Sequence, residues 1–416
     1  MSLQPCLQAA ETPQAIARST RELVAEVPSL APGSLNREAF AIFEAHPRLV
    51  GLPVVHDGRP VGLINRNLFM QSLARPFYRE IFLGKPCTTF MDTAPLVVDG
   101  GASIQELSFL ALEAGEKALS DGYIVTENGR FLGMGFGLDM VRAIADLQAE
   151  KNRQVMESID YASVIQKSLG RSSREGLRRT LPNHFLLWEP RDVVSGDYFH
   201  FEARDGGFFA ALFDCTGHGV PGAFMTMIMS SFLQNALATG DWRDPATILA
   251  RVNRRVKTAL GQIDHSHTDD DNESEHASDD GMDAAFMAFD AASRTLTFAG
   301  AHMPLFLLTP EAAEVEVIDG DRAGVGYAAT AMEQAWTNHR REIAPGTACY
   351  CFTDGIFDQL GGKRRIAFGK RRLTSIIQAH RGETMPAQRH AIFEALLAYQ
   401  GEERRRDDVA GLGFAL

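Results

Sequence analysis

The chain has 416 residues, a formal net charge of −12, and a composition that is 45% hydrophobic and 23% charged. That length exceeds what one hydrophobic core organises, so two domains are expected, and the composition excludes wholesale disorder. The acidic balance excludes a nucleic-acid partner, because backbone binding draws on clustered Lys and Arg.

The first residues, MSLQPCLQAAETPQAIARS, show no charged segment leading into an apolar one, and no apolar run approaches the roughly 20 residues of a membrane helix. A cytoplasmic protein with no membrane contact is therefore expected. The five cysteines (Cys6, Cys87, Cys215, Cys349 and Cys351) have no paired spacing of the kind zinc sites use. Cys349 and Cys351 flank Tyr350 and share one face of a predicted strand, as small core residues in a reducing compartment.

After an N-terminal segment, residues 1–23, an internal repeat occupies residues 24–145. PVVHDGRPVGLI (Pro53 to Ile64) returns as IVTENGRFLGMG (Ile124 to Gly135). Asp57-Gly58-Arg59 matches Asn128-Gly129-Arg130, and Gly62 matches Gly133. Each copy predicts a strand, an Asp-Gly or Asn-Gly turn, a second strand and then a helix. This region resembles a tandem pair of CBS domains, which implies an α/β sensor module with clefts for adenine nucleotides. The threonine and aspartate of the usual nucleotide pattern are replaced by Asn65 and Leu68 in the first copy. In the second copy the threonine place holds Phe136, and Asp139 alone keeps the ribose-binding aspartate. Adenine-nucleotide binding at Asp139 and a purely structural or dimerising role both stay open.

From Leu138 to Leu169 no Pro or Gly interrupts a loose apolar stripe of Val141, Ile144, Leu147, Val155, Ile159 and Ile165. This predicts a long helix, with residues 146–170 connecting two domains, either as a packed surface helix or as a coiled coil in a homodimer. The last domain takes residues 171–416. Within it, DHSHTDDDNESEHASDDGMD at 264–283 lacks apolar anchors and predicts a solvated, mobile loop. His265, His267 and His276 are read as part of that loop, not as metal ligands. The basic run Lys363 to Arg372 reads as a solvated helix start or as a contact for an acidic or phosphorylated partner.

Four aspartates sit at predicted strand ends beside glycines. Asp197 opens a strand in VVSGDYFHF, and Asp214 closes its hairpin partner in ALFDCTGHGVPG. Asp354 follows a strand in CYCFTDGIF, and Asp407-Asp408 precede the last strand. A hairpin through Arg204-Asp205-Gly206-Gly207 pairs the strands of Asp197 and Asp214. Carboxylates at strand ends can gather into a site for hard divalent cations.

Taken with ASVIQKSLG, MDAAFMAFD, GAHMPLFLL, FGKRRL and DDVAGLGF, this ordered set resembles the metal-dependent protein phosphatases related to protein phosphatase 2C, specifically the bacterial stage II sporulation protein E branch. The resemblance implies an α+β fold whose C-terminal part is an α-β-β-α sandwich. It also implies two Mn²⁺ or Mg²⁺ ions held by Asp197, Asp214, the Cys215 carbonyl, Asp354 and Asp407, with Asp408 as the alternative to Asp407. Asp214 and Asp354 would be central to catalysis. The implied substrate is a phosphorylated STAS-type anti-sigma-factor antagonist in a partner-switching circuit, under control of the N-terminal repeats. A degenerate, non-catalytic scaffold and a two-metal enzyme acting on nucleotides are the alternatives.

His218 has a pKa range suited to acid-base work and is either a proton donor or a brace for the glycine turn. His302 reads as a turn residue that satisfies backbone groups, and Met225, Met227 and Met229 read as helix core. Asp358 stands where the branch usually has glutamate. Arg191 is the nearest arginine, but no pattern marks it as a phosphate ligand.

Overall fold

A computed structural model describes residues 17–262 and 279–416. Cys6, the three histidines of the acidic tract and positions 264–278 of the expected loop lie outside the described residues. The chain divides into two compact units, Met1–Met156 and Glu157–Leu416.

The first unit contains α1 (Asn36–Ala45), β1 (Gly51–His56), β2 (Arg59–Asn65), α2 (Arg66–Leu73), α3 (Tyr78–Phe82), β3 (Val97–Asp99), α4 (Ile104–Ala114), α5 (Glu116–Ser120), β4 (Tyr123–Glu127) and β5 (Arg130–Gly135). Both copies of the repeat form a hairpin that leads into a helix. Their turns put Asp57 and Asn128 at φ 51° and 53°, followed by Gly58 and Gly129 at φ 78° and 75°. Two successive left-handed residues are what a tight hairpin with right-twisted strands demands. The register slips at equivalent places, Val54/Val55 and Val125/Thr126.

Each hairpin has its own core, one around Val54, Ile64 and Phe69 and the other around Tyr123, Val125 and Leu107, with Leu63, Ile124 and Met134 packed between them. Asn65 caps α2, its side chain accepting from Leu68 N–H, which gives that departure from the nucleotide pattern a structural role. The 33-residue helix α6 (Gly137–Leu169) carries the chain from the first unit into the second.

The second unit contains α7 (Arg171–Thr180), β6 (His184–Glu189), β7 (Asp197–Arg204), β8 (Gly207–Cys215), α8 (Gly219–Thr239), α9 (Pro245–Leu260), β9 (Met282–Asp290), β10 (Thr295–Ala301), β11 (Leu305–Leu308), β12 (Glu316–Ile318), β13 (His339–Glu342), β14 (Ala348–Phe352), α10 (Asp354–Phe357), β15 (Leu360–Gly361), β16 (Ile366–Ala367), α11 (Gly369–Ala379), α12 (Met385–Gln400) and β17 (Val409–Ala415). Two antiparallel five-stranded sheets form, in the orders β13-β10-β9-β8-β7 and β12-β11-β14-β17-β6.

Strand alternation sorts the side chains into layers. Phe208, Ala210 and Leu212 of β8 join Cys349, Cys351, Leu412 and Phe414 in the core between the sheets. The intervening Phe209, Ala211 and Phe213 turn outward to meet Met229, Leu233, Leu249 and Val252 of α8 and α9. On the opposite side Tyr350 and Phe352 meet Leu373, Ile377, Ile392 and Leu396 of α11 and α12. The result is helix, sheet, sheet, helix. With both faces of β8 covered, its sequence reads as a continuous apolar run. The acidic tract ends earlier than the sequence predicts. Strand β9 begins at Met282, where pairing with Cys215 draws the chain into the sheet.

Gly355 shows how tightly the sheet ends are joined. A Cβ built there would lie 1.8 Å from the Asp408 carbonyl oxygen. Gly355→Ala is therefore expected to cost about 1–3 kcal/mol, the range for overpacking, read as a lower denaturation midpoint with an unchanged denaturant slope.

Candidate active site

The register of three neighbouring strands aligns three carboxylates. Asp197 of β7 pairs with Asp214 of β8, and Asp214 pairs with Asp283 of β9. Directly opposite residues of antiparallel strands project from the same face, so the three form a row at one end of the first sheet. The second sheet brings Asp354, just after β14, and Asp407, just before β17; these strands are adjacent, with Phe352 opposite Gly411. The two sheets are tied at this end. Thr353 Oγ1 donates to Asp197 Oδ2 at 2.8 Å and accepts from Ala410 N–H at 2.9 Å. Trp188 Nε1 donates to the Asp197 carbonyl at 3.1 Å.

Asp197 is fully buried, and its Oδ1 has no hydrogen-bond partner among the described residues. Burial, then the charges of Asp408, Asp407 and Asp354, push its carboxyl well above the usual range, against the Thr353 hydroxyl. Asp214 is raised likewise, by burial first and then by Asp197, Asp354, Asp407 and Asp283. Asp354 is pushed up to about 6 by loss of solvent and by Asp407 and Asp358, while a side-chain hydrogen bond with Asp214 works the other way. Burial also raises Asp283, offset by His302, whose Nδ1 lies 2.8 Å from Asp283 Oδ1. His302 therefore uses its side chain on a carboxylate, where the sequence suggested a residue serving only backbone groups. Its φ of 59° places it in the left-handed region at the turn.

Asp408 also has backbone partners of its own. It is buried, and its two oxygens accept from Arg191 N–H and Gly196 N–H, each at 2.6 Å. Of the two candidates Asp407 and Asp408, it is Asp408 that braces the turn leading to Asp197. Cys215 is buried at the end of β8 next to Asp214. His218 does not line the carboxylate cavity; its Nδ1 meets Asp192 Oδ2 at 3.0 Å at the start of α8. Arg191 donates through Nη1 to the Arg406 carbonyl. Met225 and Met229 are buried as expected for helix core, whereas Met227 is exposed. Asp139 lies in the first unit, near the start of α6, on a cavity of about 920 Å³ lined also by Glu26, His46, Arg48 and Phe136.

A cavity of about 280 Å³ is lined by Asp214, Asp283, Asp354, Asp358, His302 and Lys370, among others. Asp283 and His302 also line an adjoining cavity of about 610 Å³. Sequence reading passed over Asp283, which closes an acidic tract that resembles loop. The continuous apolar run of MDAAFMAFD, taken as a strand from Met282, would have placed Asp283 at its end. Among the described residues no three His, Cys, Asp or Glu side chains close as ligands on one point. The carboxylates are gathered at one end without forming a finished coordination shell.

Residues 204–415, more than half of the chain, match the profile of the family described as stage II sporulation protein E (SpoIIE). The chain belongs to the SpoIIE family. Its C-terminal unit is a protein phosphatase 2C-type serine/threonine phosphatase domain. It is similar to the SiaA PP2C domain of Pseudomonas aeruginosa at 34% identity, covering 64% of this chain and 99% of that one, with a TM-score of 0.56. More distant are the PP2C domain with a regulatory-domain fragment of SpoIIE from Bacillus subtilis (15% identity, 56% and 63% coverage, TM-score 0.43) and RsbX in complex with magnesium (17% identity, 56% and 94% coverage, TM-score 0.38). No curated protein matches. PP2C-type phosphatases such as those of the SpoIIE family use divalent metals such as Mn²⁺ or Mg²⁺.

The carboxylate row has a sign-definite effect on stability. An acid whose folded pKa lies above its unfolded value favours the folded state below that pKa and disfavours it above. With divalent cations chelated, wild-type stability should fall as pH rises from about 4 through about 6, where Asp354 titrates. Asp354→Asn should flatten that segment of a melting-temperature profile against pH. Adding Mn²⁺ at 100 times its Kd should restore about 2.7 kcal/mol per site.

Proposed function

We propose that the chain is a two-metal phosphatase that releases phosphate from Ser or Thr of a small STAS-type regulatory protein in a partner-switching circuit, with the N-terminal repeat pair as its sensor. One observation carries the metal reading. Five carboxylates of like charge are gathered at the common end of two sheets, and a buried oxygen of one, Asp197 Oδ1, has no partner among the described residues. A group arranged this way is stable as anions only beside cations. The donors are all oxygen, which suits hard divalent ions.

Asp197, Asp214 and the Cys215 carbonyl would hold one side of the ion pair, and Asp354 and Asp407 the other. When bound, such ions supply hydroxide at neutral pH and neutralise charge on the phosphoryl oxygens. The chain's own part is placement. Thr353 and Trp188 fix Asp197 from the second sheet. Asp408 fixes the turn before Asp197 through backbone N–H groups. His302 orients Asp283. His218 acts through its bond to Asp192 as a brace for the start of α8.

Regulation would pass along α6. Gln166, near its C-terminal end, is buried; its amide donates to the Ser195 carbonyl at 2.6 Å and accepts from Ser195 N–H at 3.1 Å, two residues before Asp197. Val155, Tyr161, Val164 and Leu169 leave an exposed apolar stripe on the same helix, which favours pairing of two chains through a coil. The CBS-like reading of the first unit is supported by the hairpin-helix repeat and by the cavity beside Asp139, where an adenine nucleotide would bind.

The test is Mn²⁺-dependent phosphate release from a phosphoserine STAS-domain protein. Wild type should turn over, and Asp214→Ala and Asp354→Ala should each lose about 10²-fold or more, as when charge stabilisation at a reacting centre is removed. No turnover with metal and substrate, or unchanged mutants, would defeat the reading. His218→Ala should reduce kcat by less than about threefold, well short of the 10²-fold or more that follows loss of a general acid. A larger loss with an altered pH profile would restore His218 as the proton donor.

A further inference from the structure

A phosphomonoester carries up to two negative charges into a cavity whose wall already holds Asp214, Asp283, Asp354 and Asp358. Like charges at this range repel strongly where water is scarce, so a dianion there needs a protein cation as well as any bound metal. Among the described residues Lys370 is the one Lys or Arg on the lining of that cavity. It is the second residue of α11, reached through Gly369 at φ 75°.

The nearby alternatives are engaged. Arg191 is bonded to the Arg406 carbonyl. Arg365 pairs with Glu403. Arg372 donates to the Phe368 carbonyl and lies over the Tyr399 ring. Lys370 is held only loosely. Its Nζ is 3.3 Å from Asp319 Oδ1, with the two side chains 48% and 78% exposed, and exposed pairs of this kind contribute about 0–1 kcal/mol. A phosphoryl group offers up to two charges and several acceptor oxygens against that single carboxylate, and a flexible ammonium can exchange one for the other at little cost.

We infer that Lys370 is the residue that grips the substrate phosphoryl group, leaving Asp319 when substrate arrives. The inference rests on the phosphatase reading of the same cavity and adds the phosphate ligand that the sequence did not disclose. Arg322 lines the adjoining cavity with Asp283 and His302 and not the one that holds Asp214 and Asp354, which makes it the competing cation.

The experiment uses the full chain with saturating Mn²⁺, a phosphoserine peptide as substrate and inorganic phosphate as competitive inhibitor. Lys370→Gln should raise both the phosphate inhibition constant and the peptide KM by about 10-fold or more, the worth of one charge-assisted hydrogen bond, with melting temperature and Mn²⁺ affinity unchanged. Lys370→Arg should stay within about threefold of wild type. Asp319→Asn, which removes the competing carboxylate, should tighten phosphate inhibition. Unchanged inhibition in Lys370→Gln, or a loss that follows Arg322→Gln instead, overturns the assignment. An inactive wild type would instead count against the phosphatase reading itself, so the two failures are distinguishable.

Discussion

Repulsion among carboxylates confined to one end of two packed sheets is the constraint that organises the catalytic unit. Asp197, Asp214 and Asp283 are held side by side by strand register, and Asp354 and Asp407 are held opposite by the second sheet. Asp197, Asp214 and Asp283 lie in paired strands, Asp354 opens α10, and Asp407 stands two residues before β17. Burial first, and then the neighbouring carboxylates, raise the pKa values of Asp197, Asp214 and Asp354, while burial alone raises that of Asp283. A fold that keeps such an arrangement gives up stability at neutral pH unless cations are present, a cost typical of functional sites.

The surrounding structure prevents the strained end from loosening. Apolar layers on both faces of both sheets hold the strands flat against one another. Hydrogen bonds from Thr353 and Trp188 join the sheets at Asp197 itself. Asp408, adjacent in sequence to a proposed metal ligand, spends its charge on two backbone N–H groups. Gly355 lets the turn after Asp354 approach the Asp408 carbonyl closely enough for both to be set by one contact.

Asp197, Asp214 and Asp354 could be singled out because each stands at a strand end beside its own glycine-bearing phrase, whereas Asp407 was preferred to Asp408 only through the family resemblance. Asp283 could not be singled out, because its chain neighbours are acidic and polar and only pairing with Asp214 gives it meaning. His302 looked like a turn residue, which its backbone is, yet its ring serves a carboxylate from another strand. Lys370 was one cation in a basic run until α11 placed it alone on the cavity wall. The hairpin turns of the repeat, by contrast, follow from Asp57-Gly58 and Asn128-Gly129 directly, since few other pairs accept two left-handed residues.

The sequence by itself determined the two-part organisation, the repeat, the alternating and continuous apolar runs that build the layers, and the family to which the catalytic part belongs. These are properties of short stretches, where periodicity, turn chemistry and motif order act within a few residues of one another. Only the tertiary structure decided that Asp408 accepts from Arg191 and Gly196 N–H, that Asp283 completes a row of three, and that His218 pairs with Asp192. Those outcomes depend on contacts between segments some 20 to more than 200 residues apart, and no local pattern carries information about a partner at that distance.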